Sequence, residues 1–260
     1  QTAVLLVAGA LVITGASWCA VASSANGSSN GKENWKALPV IPRLDRSVGS
    51  KLRLDVANSR SHSMRPRVFA KLGDSNTSMP SSIYGLGCSR PRLHGRWRLG
   101  AVLKRYNQVT LFNPRPLNGC SSSTSFSRNS VAAQAGTFAG WSLKRIDELP
   151  PSGYSSAPPG CGPTETPMSC EIRVTRPRYV FIMTGTNDWI LDNSFDVVPG
   201  SRTEADMNSL IDSVRALGSV PIVSTLPPLM ISRAGEAAID PYNRAIAASA
   251  RKKKAPLVNL

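Results

Sequence analysis

The apolar residues of this chain fall into two recurring patterns. Short, nearly continuous runs at 68–72 (VFAKL), 178–184 (RYVFIMT), 220–225 (VPIVST) and 256–260 (PLVNL) predict strands. The second run has so few polar positions that it suits a sheet covered on both faces. Helical spacing appears at 204–217, where Met207, Leu210, Ile211, Val214 and Leu217 share one face, Thr203 is placed to cap and Gly218 to stop. A further helix is predicted to begin at Asp240 and Pro241, with Tyr242, Ala245 and Ile246 inward and the run Arg251, Lys252, Lys253, Lys254 as its solvated end. Residues 99–112 carry enough apolar positions for a short helix or strand before Pro114 and Pro116. In 125–149 a short strand or loop leads to a glycine turn at Gly136. An amphipathic helix is expected next, through Phe138, Trp141, Leu143, Ile146 and Leu149. Strand and helix alternating at these lengths give an α/β fold with a mainly parallel central sheet.

The polar stretches set the boundaries. Residues 3–22 are uncharged and read as an export signal, with VLLVAGALVITG before a candidate cleavage site at Ala20, Val21 and Ala22. A membrane anchor is the other reading, against which stand the shortness of the run and its interruption by Gly9, Gly15 and Ser17. A lipoprotein reading would use Cys19, but Trp18 is bulky for the position before it. The chain opens on Gln1 and stops at Leu260 behind an apolar run, so both ends read as cut. The expected organisation is therefore a signal over 1–22, a polar linker over 23–64 with room for a short packed segment around Trp35 or Leu38 to Ile41, and one domain over 65–260, incomplete at its carboxyl end. Within that domain 81–98 and 150–167 are rich in Gly, Ser, Pro or Arg and read as surface excursions.

Composition adds a compartment and a charge. Beyond the signal lie Cys88, Cys120, Cys161 and Cys170, an even count that suggests two disulfides in an exported chain. Three pairings are open, and Cys161 with Cys170 and Cys88 with Cys120 are favoured because each closes a local loop region. No close CxxC pair is present, so a metal centre is not expected. The net charge of +15 would attract nucleic acid or an anionic surface, yet the cations are scattered without a reading helix. Specific nucleic-acid binding is not expected. Nor is a membrane span once the signal is removed.

Two polar turns stand at strand ends, where an open α/β sheet places its crevice. Gly73, Asp74, Ser75 and Asn76 follow the first strand, and Gly185, Thr186, Asn187 and Asp188 follow the second. A serine lifted above a strand end is a candidate nucleophile, although these residue types also build ordinary Asx and Ser turns. Acyl transfer needs such an oxygen together with preplaced donors for the oxyanion. The amides of Ser75 and Gly136 and the side-chain amide of Asn187 would be those donors.

The chain resembles the SGNH/GDSL family of serine esterases and lipases, with GDSN at 73–76 as its first block, Gly136 as its second and GTND at 185–188 as its third. The resemblance implies a flavodoxin-like three-layer α/β/α fold, hydrolysis of O-acyl esters through an acyl-serine, no cofactor, and an acyl-ester substrate. A small ester on a carbohydrate or envelope polymer is the preferred carrier, and the protein would be secreted, extracellular or periplasmic. Gly73, Asp74, Asn76, Gly185 and Asp188 would support the turns. The family's last block, Asp-x-x-His after the final strand, is not found before Leu260. His62 and His94 both read as solvated. A truncated hydrolase that is inactive or very weak without that block is the expectation, and a non-catalytic domain binding a glycan or envelope polymer is the alternative.

Overall fold

A computed structural model describes residues 34–42, 44–79, 82–88, 93, 95–112, 120, 122–149, 158–195, 197–228 and 233–260. The export segment, its candidate cleavage site, Cys19 and His94 lie outside the described residues.

Among these, β1 (Arg65–Gly73), β2 (Pro177–Met183), β3 (Val220–Ser224) and β4 (Leu257–Val258) form one sheet in the order β1-β2-β3-β4, all parallel. Because successive side chains of a strand face opposite ways, each strand feeds two cores. Ala70 and Leu72 of β1, Val180 and Ile182 of β2 and Val223 of β3 pack with α4 (Pro167–Thr175), α6 (Ser201–Ala216) and α7 (Arg233–Lys252) through Met168, Ile172, Met207, Leu210, Ile211 and Ile246. Phe69, Phe181 and Ile222 face the other way, onto Val102, Leu103 and Tyr106 of α3 (Trp97–Asn107) and onto Phe126. Phe69 meets Tyr106, Phe126 and Phe181 edge-on, with centroids 4.9 to 5.3 Å apart. The fold is thus the three-layer α/β/α arrangement that the run pattern and the resemblance imply.

Both edges of the sheet are covered by irregular chain. Along β1, Phe69 N donates to Ser125 Oγ, Ser130 Oγ to Lys71 O, Gly73 N to Ala132 O and Gln134 N to Gly73 O, so residues 125–134 satisfy an edge that would otherwise present unpaired groups. Along β4, Asn259 N donates to Val40 O, while Asn259 Nδ2 reaches Leu38 O and Trp35 O. Trp35 is buried and its indole N–H bonds Asp240.

The edge of β1 also carries a buried polar cluster. Arg128 and Glu171 pair through two bonds of 2.9 Å, and Glu171 accepts Val131 N as well. Lys71 Nζ donates to Phe126 O and lies 3.2 Å from the centre of the Tyr84 ring. Burial holds the Lys71 ammonium well below the usual lysine range.

Several elements differ from the sequence reading. The stretch expected to be a polar linker contains a short 3-10 turn at Trp35–Ala37 and the 16-residue helix α1 (Arg46–Ser61), capped by Asp45 and packed against β3. Its buried residues are Asp55, paired with Arg215 of α6, and Ser59, whose hydroxyl donates to Val56 O within the helix, so no apolar stripe marks it. Helix α6 is capped by Gly200 rather than Thr203, and Gly200 is left-handed at φ 83°. Helix α7 begins at Arg233 and carries Pro241 inside it. After Gly136 there is no amphipathic helix but two 3-10 turns, Ala139–Leu143 and Ile146–Glu148. The cysteines pair as Cys88 with Cys120 and Cys161 with Cys170. No helix among the described residues is long and apolar enough to cross a membrane.

Candidate active site

The carboxyl end of β1 passes directly into a four-residue helix, α2 (Ser75–Ser78), with Asp74 as its cap. Gly73 is the only residue type that fits before it, because a Cβ there would overlap Met183 O and the side chain of Thr77. Thr77 Oγ1 donates to that same Met183 carbonyl at 2.7 Å, which fixes α2 to the end of β2.

Asp74 is fully buried and divides its two oxygens between the turns. Oδ1 accepts Asn76 N and Oδ2 accepts Thr186 N, both at 3.0 Å. Burial raises the carboxyl above its ordinary value, opposed chiefly by the Thr186 bonds and then by Asn76. Asn76 Nδ2 adds a bond to Thr186 Oγ1. Thr186 therefore joins the two turns. Sequence reading passed over it, since a threonine between Gly185 and Asn187 gives no signal of its own.

The third segment is tied in from its other side. Asn187 opens α5 (Asp188–Ser194), and its Nδ2 donates to Thr137 O at 2.8 Å, next to Gly136. Gly136 is exposed with φ 79°, and a Cβ there would meet nothing, so conformation and not crowding selects glycine. Asp188 is buried and accepts Ala139 N on Oδ2 and Thr203 Oγ1 on Oδ1, each at 3.1 Å. The half-buried carboxylate of Asp206 takes Gly140 N. These two carboxylates take the first amides of the 3-10 turn, which have no partner within it. Thr203, expected to cap α6, is instead the partner of Asp188.

Burial pushes the Asp188 carboxyl up to about 6, against its bonds from Ala139 and Thr203 and with added repulsion from Asp206 and Asp192. The polar turns thus meet at the carboxyl ends of β1 and β2, with Ser75 half-buried among them. His62 is elsewhere. It is exposed, its Nδ1 contacts Asn58 O, and its ring lies beside Gly218 before β3, at the amino ends of the strands. Among the described residues no group of three His, Cys, Asp or Glu is placed to hold a metal ion.

The sequence profile of the GDSL-like lipase/acylhydrolase family matches residues 72–260. The chain belongs to this family. Three solved structures are similar to this chain. One is a psychrotrophic esterase, EstA, from a Pseudoalteromonas species, inhibited by monoethylphosphonate, at 15% identity over 75% of this chain and 77% of that one, with a TM-score of 0.40. Another is a variant of Axe2, an acetyl xylan esterase from Geobacillus stearothermophilus, at 17% identity over 73% and 74% of the two chains and a TM-score of 0.39. The third is an acetyl esterase mutant with acetate ion, at 16% identity, 74% and 77% coverage and a TM-score of 0.43. No curated protein matches the acylhydrolase. Membership in the family makes it, in general terms, a hydrolase of ester bonds.

Proposed function

We propose that the chain hydrolyses O-acyl esters through a covalent acyl-serine, with Ser75 as nucleophile. The observation that carries this reading is the double use of Asp74, whose two oxygens tie the Ser75 turn to the Thr186 turn. A nucleophile needs a fixed position more than it needs neighbours.

In the proposed reaction Ser75 Oγ attacks the ester carbonyl, and the negative charge moves to the carbonyl oxygen. The N–H groups of Ser75 and Gly136 and the Asn187 side-chain amide donate to that oxyanion, each donor contributing roughly 3 kcal/mol to the transition state. The Ser75 proton passes through a histidine to the departing alkoxide, which leaves as the alcohol. Water then attacks the acyl-serine, releases the carboxylic acid and restores the hydroxyl. The histidine is assigned to an Asp-x-x-His segment following β4, because β4 runs parallel to β1 and ends, as β1 does before Ser75, at the carboxyl ends of the strands, whereas His62 lies at their amino ends. Gly73, Asn76, Gly185 and Asp188 hold the turns and take no part in proton transfer.

The hydrolase domain is assigned to residues 65–260, and the protein to an exported location in keeping with its two disulfides. A small acyl group on a carbohydrate or envelope polymer is the preferred substrate. Hydrolysis of a short p-nitrophenyl ester by the full-length protein tests the assignment. Ser75→Ala is expected to lower turnover by about a million-fold. Equal rates for the two proteins would remove Ser75 from the mechanism.

A further inference from the structure

The positive charge of this chain is concentrated. Between Asp55 and Asp147 the single acid is the buried Asp74, while fourteen lysines and arginines occupy the same stretch. Two of these, Lys71 and Arg128, are buried in the cluster beside β1. Others are placed on the outside by α3 and the start of β1. Val102, Leu103 and Tyr106 turn inward to the sheet, which leaves Lys104 exposed on the outer side of α3 and Arg105 half-buried at its last turn, and Arg98 is exposed in the first turn. The register of β1 against β2 shifts between Arg65 and Phe69, and Arg67 within that irregularity is exposed. Tyr106 links the two elements, since its ring stacks edge-on with Phe69 and its hydroxyl lies within electrostatic reach of Arg105 and Arg178.

The other face of the sheet is compensated. Glu165 with Arg173, Asp192 with Arg202, Asp212 with Lys253 and Asp240 with Arg244 pair along or beside α4, α6 and α7. Among the described residues no ion pair reaches Arg65, Arg67, Lys104 or Arg105.

We propose that the outer side of α3 and the amino end of β1 form a docking surface for an acidic polysaccharide, a polymer bearing repeated sugar carboxylates. Guanidinium and ammonium groups on a helix and a strand end present fixed donors to such a chain, and arginine takes a carboxylate with two parallel bonds. Nucleic acid is the less suited polyanion. Sequence-tolerant binding of its bases uses exposed rings, and here Tyr106 and Phe69, the rings between the cations, are buried. The two disulfides suit an oxidising compartment, away from the reducing interior that holds the cell's nucleic acid. The β1 part of the surface lies at the amino end of the strand whose carboxyl end leads into Ser75. It therefore holds a polymer without entering the crevice, raising the local concentration of whatever the crevice acts on.

The test compares two doubly neutralised proteins that lose the same charge. Arg67→Gln with Lys104→Gln removes cations from the proposed surface, and Lys252→Gln with Lys254→Gln removes exposed cations at the end of α7. Binding of polygalacturonate, dextran and a DNA duplex is measured by calorimetry at about 0.15 M salt, where only short-range electrostatics persist. The first variant is expected to bind polygalacturonate at least roughly fivefold more weakly and the second to bind as the parent does, since local field and not net charge would set the affinity. Dextran should not bind. Equal weakening in both variants, no weakening in either, equal binding of dextran, or tighter binding of DNA than of polygalacturonate would each overturn the proposal. Because binding is read directly, the result stands whether or not Ser75 proves to be the nucleophile.

Discussion

Asn76 Nδ2 lies 2.7 Å from Thr186 Oγ1, and the same threonine gives its backbone N–H to Asp74. One residue of the second turn thus holds both neighbours of Ser75. Thr186→Val keeps the backbone bond and deletes the hydroxyl, leaving the Asn76 amide without that partner. A stability loss of about 1 kcal/mol is expected in urea unfolding. A larger fall in kcat than in KM should accompany it if Ser75 is the nucleophile.

Gly73→Ala places a methyl group on Met183 O and Thr77, both fixed by their own hydrogen bond. The strand end must open to admit it. About 1 to 3 kcal/mol of destabilisation is expected from overpacking alone. An unchanged denaturation midpoint would show that the turn is looser than its contacts imply.

Arg128→Met removes the cation from a pair whose members are both buried. Glu171 then keeps Val131 N but loses its two charge-assisted bonds, and a cost of about 3 to 5 kcal/mol is expected. Replacing both residues, Arg128→Met with Glu171→Met, should recover most of that loss. Urea midpoints of the single and double variants decide the matter.

Asp188 gives a pH dependence with a definite sign. Its carboxyl keeps its proton in the folded protein up to about 6, against an ordinary value of 3.8, so the folded state binds more protons than the unfolded one between these limits. Stability contributed by this group must therefore fall as pH rises through that window and level off above it. The difference between the parent and Asp188→Asn, followed by chemical denaturation from about pH 4 to about pH 7, should change by at most about 3 kcal/mol. A difference that stays flat over the window would place the carboxyl near its ordinary range.

What could be read in the sequence was what apolar periodicity and turn chemistry encode. Strands β1, β2 and β3 are runs of buried apolar side chains, and Gly73 and Gly185 stand where the chain must turn. What could not be read was held by polar bonds between distant residues. Helix α1 buries Asp55 and Ser59 rather than leucines, so its stretch looks like a linker. The edge of β1 is closed by the hydroxyls of Ser125 and Ser130, residues that usually signal a loop. The segment after Gly136 has helical spacing but forms two 3-10 turns, the first of them tied to Asp188 and Asp206, and no local pattern announces two carboxylates some fifty or more residues ahead. The roles of Gly136 and Asn187 as oxyanion donors rest on the reaction proposed above.

Asn259 and Trp35 are in contact although 224 positions separate them. The bond gives the molecule an order of assembly. The segment around Trp35 is completed by β4, so on the ribosome it must wait, with part of its contacts unmade, until β4 has emerged. Long-range closure of this kind is slow to form. It also makes β4 a lock on the segment around Trp35, so that a nick just before β4 would loosen two stretches of chain far apart in sequence at once.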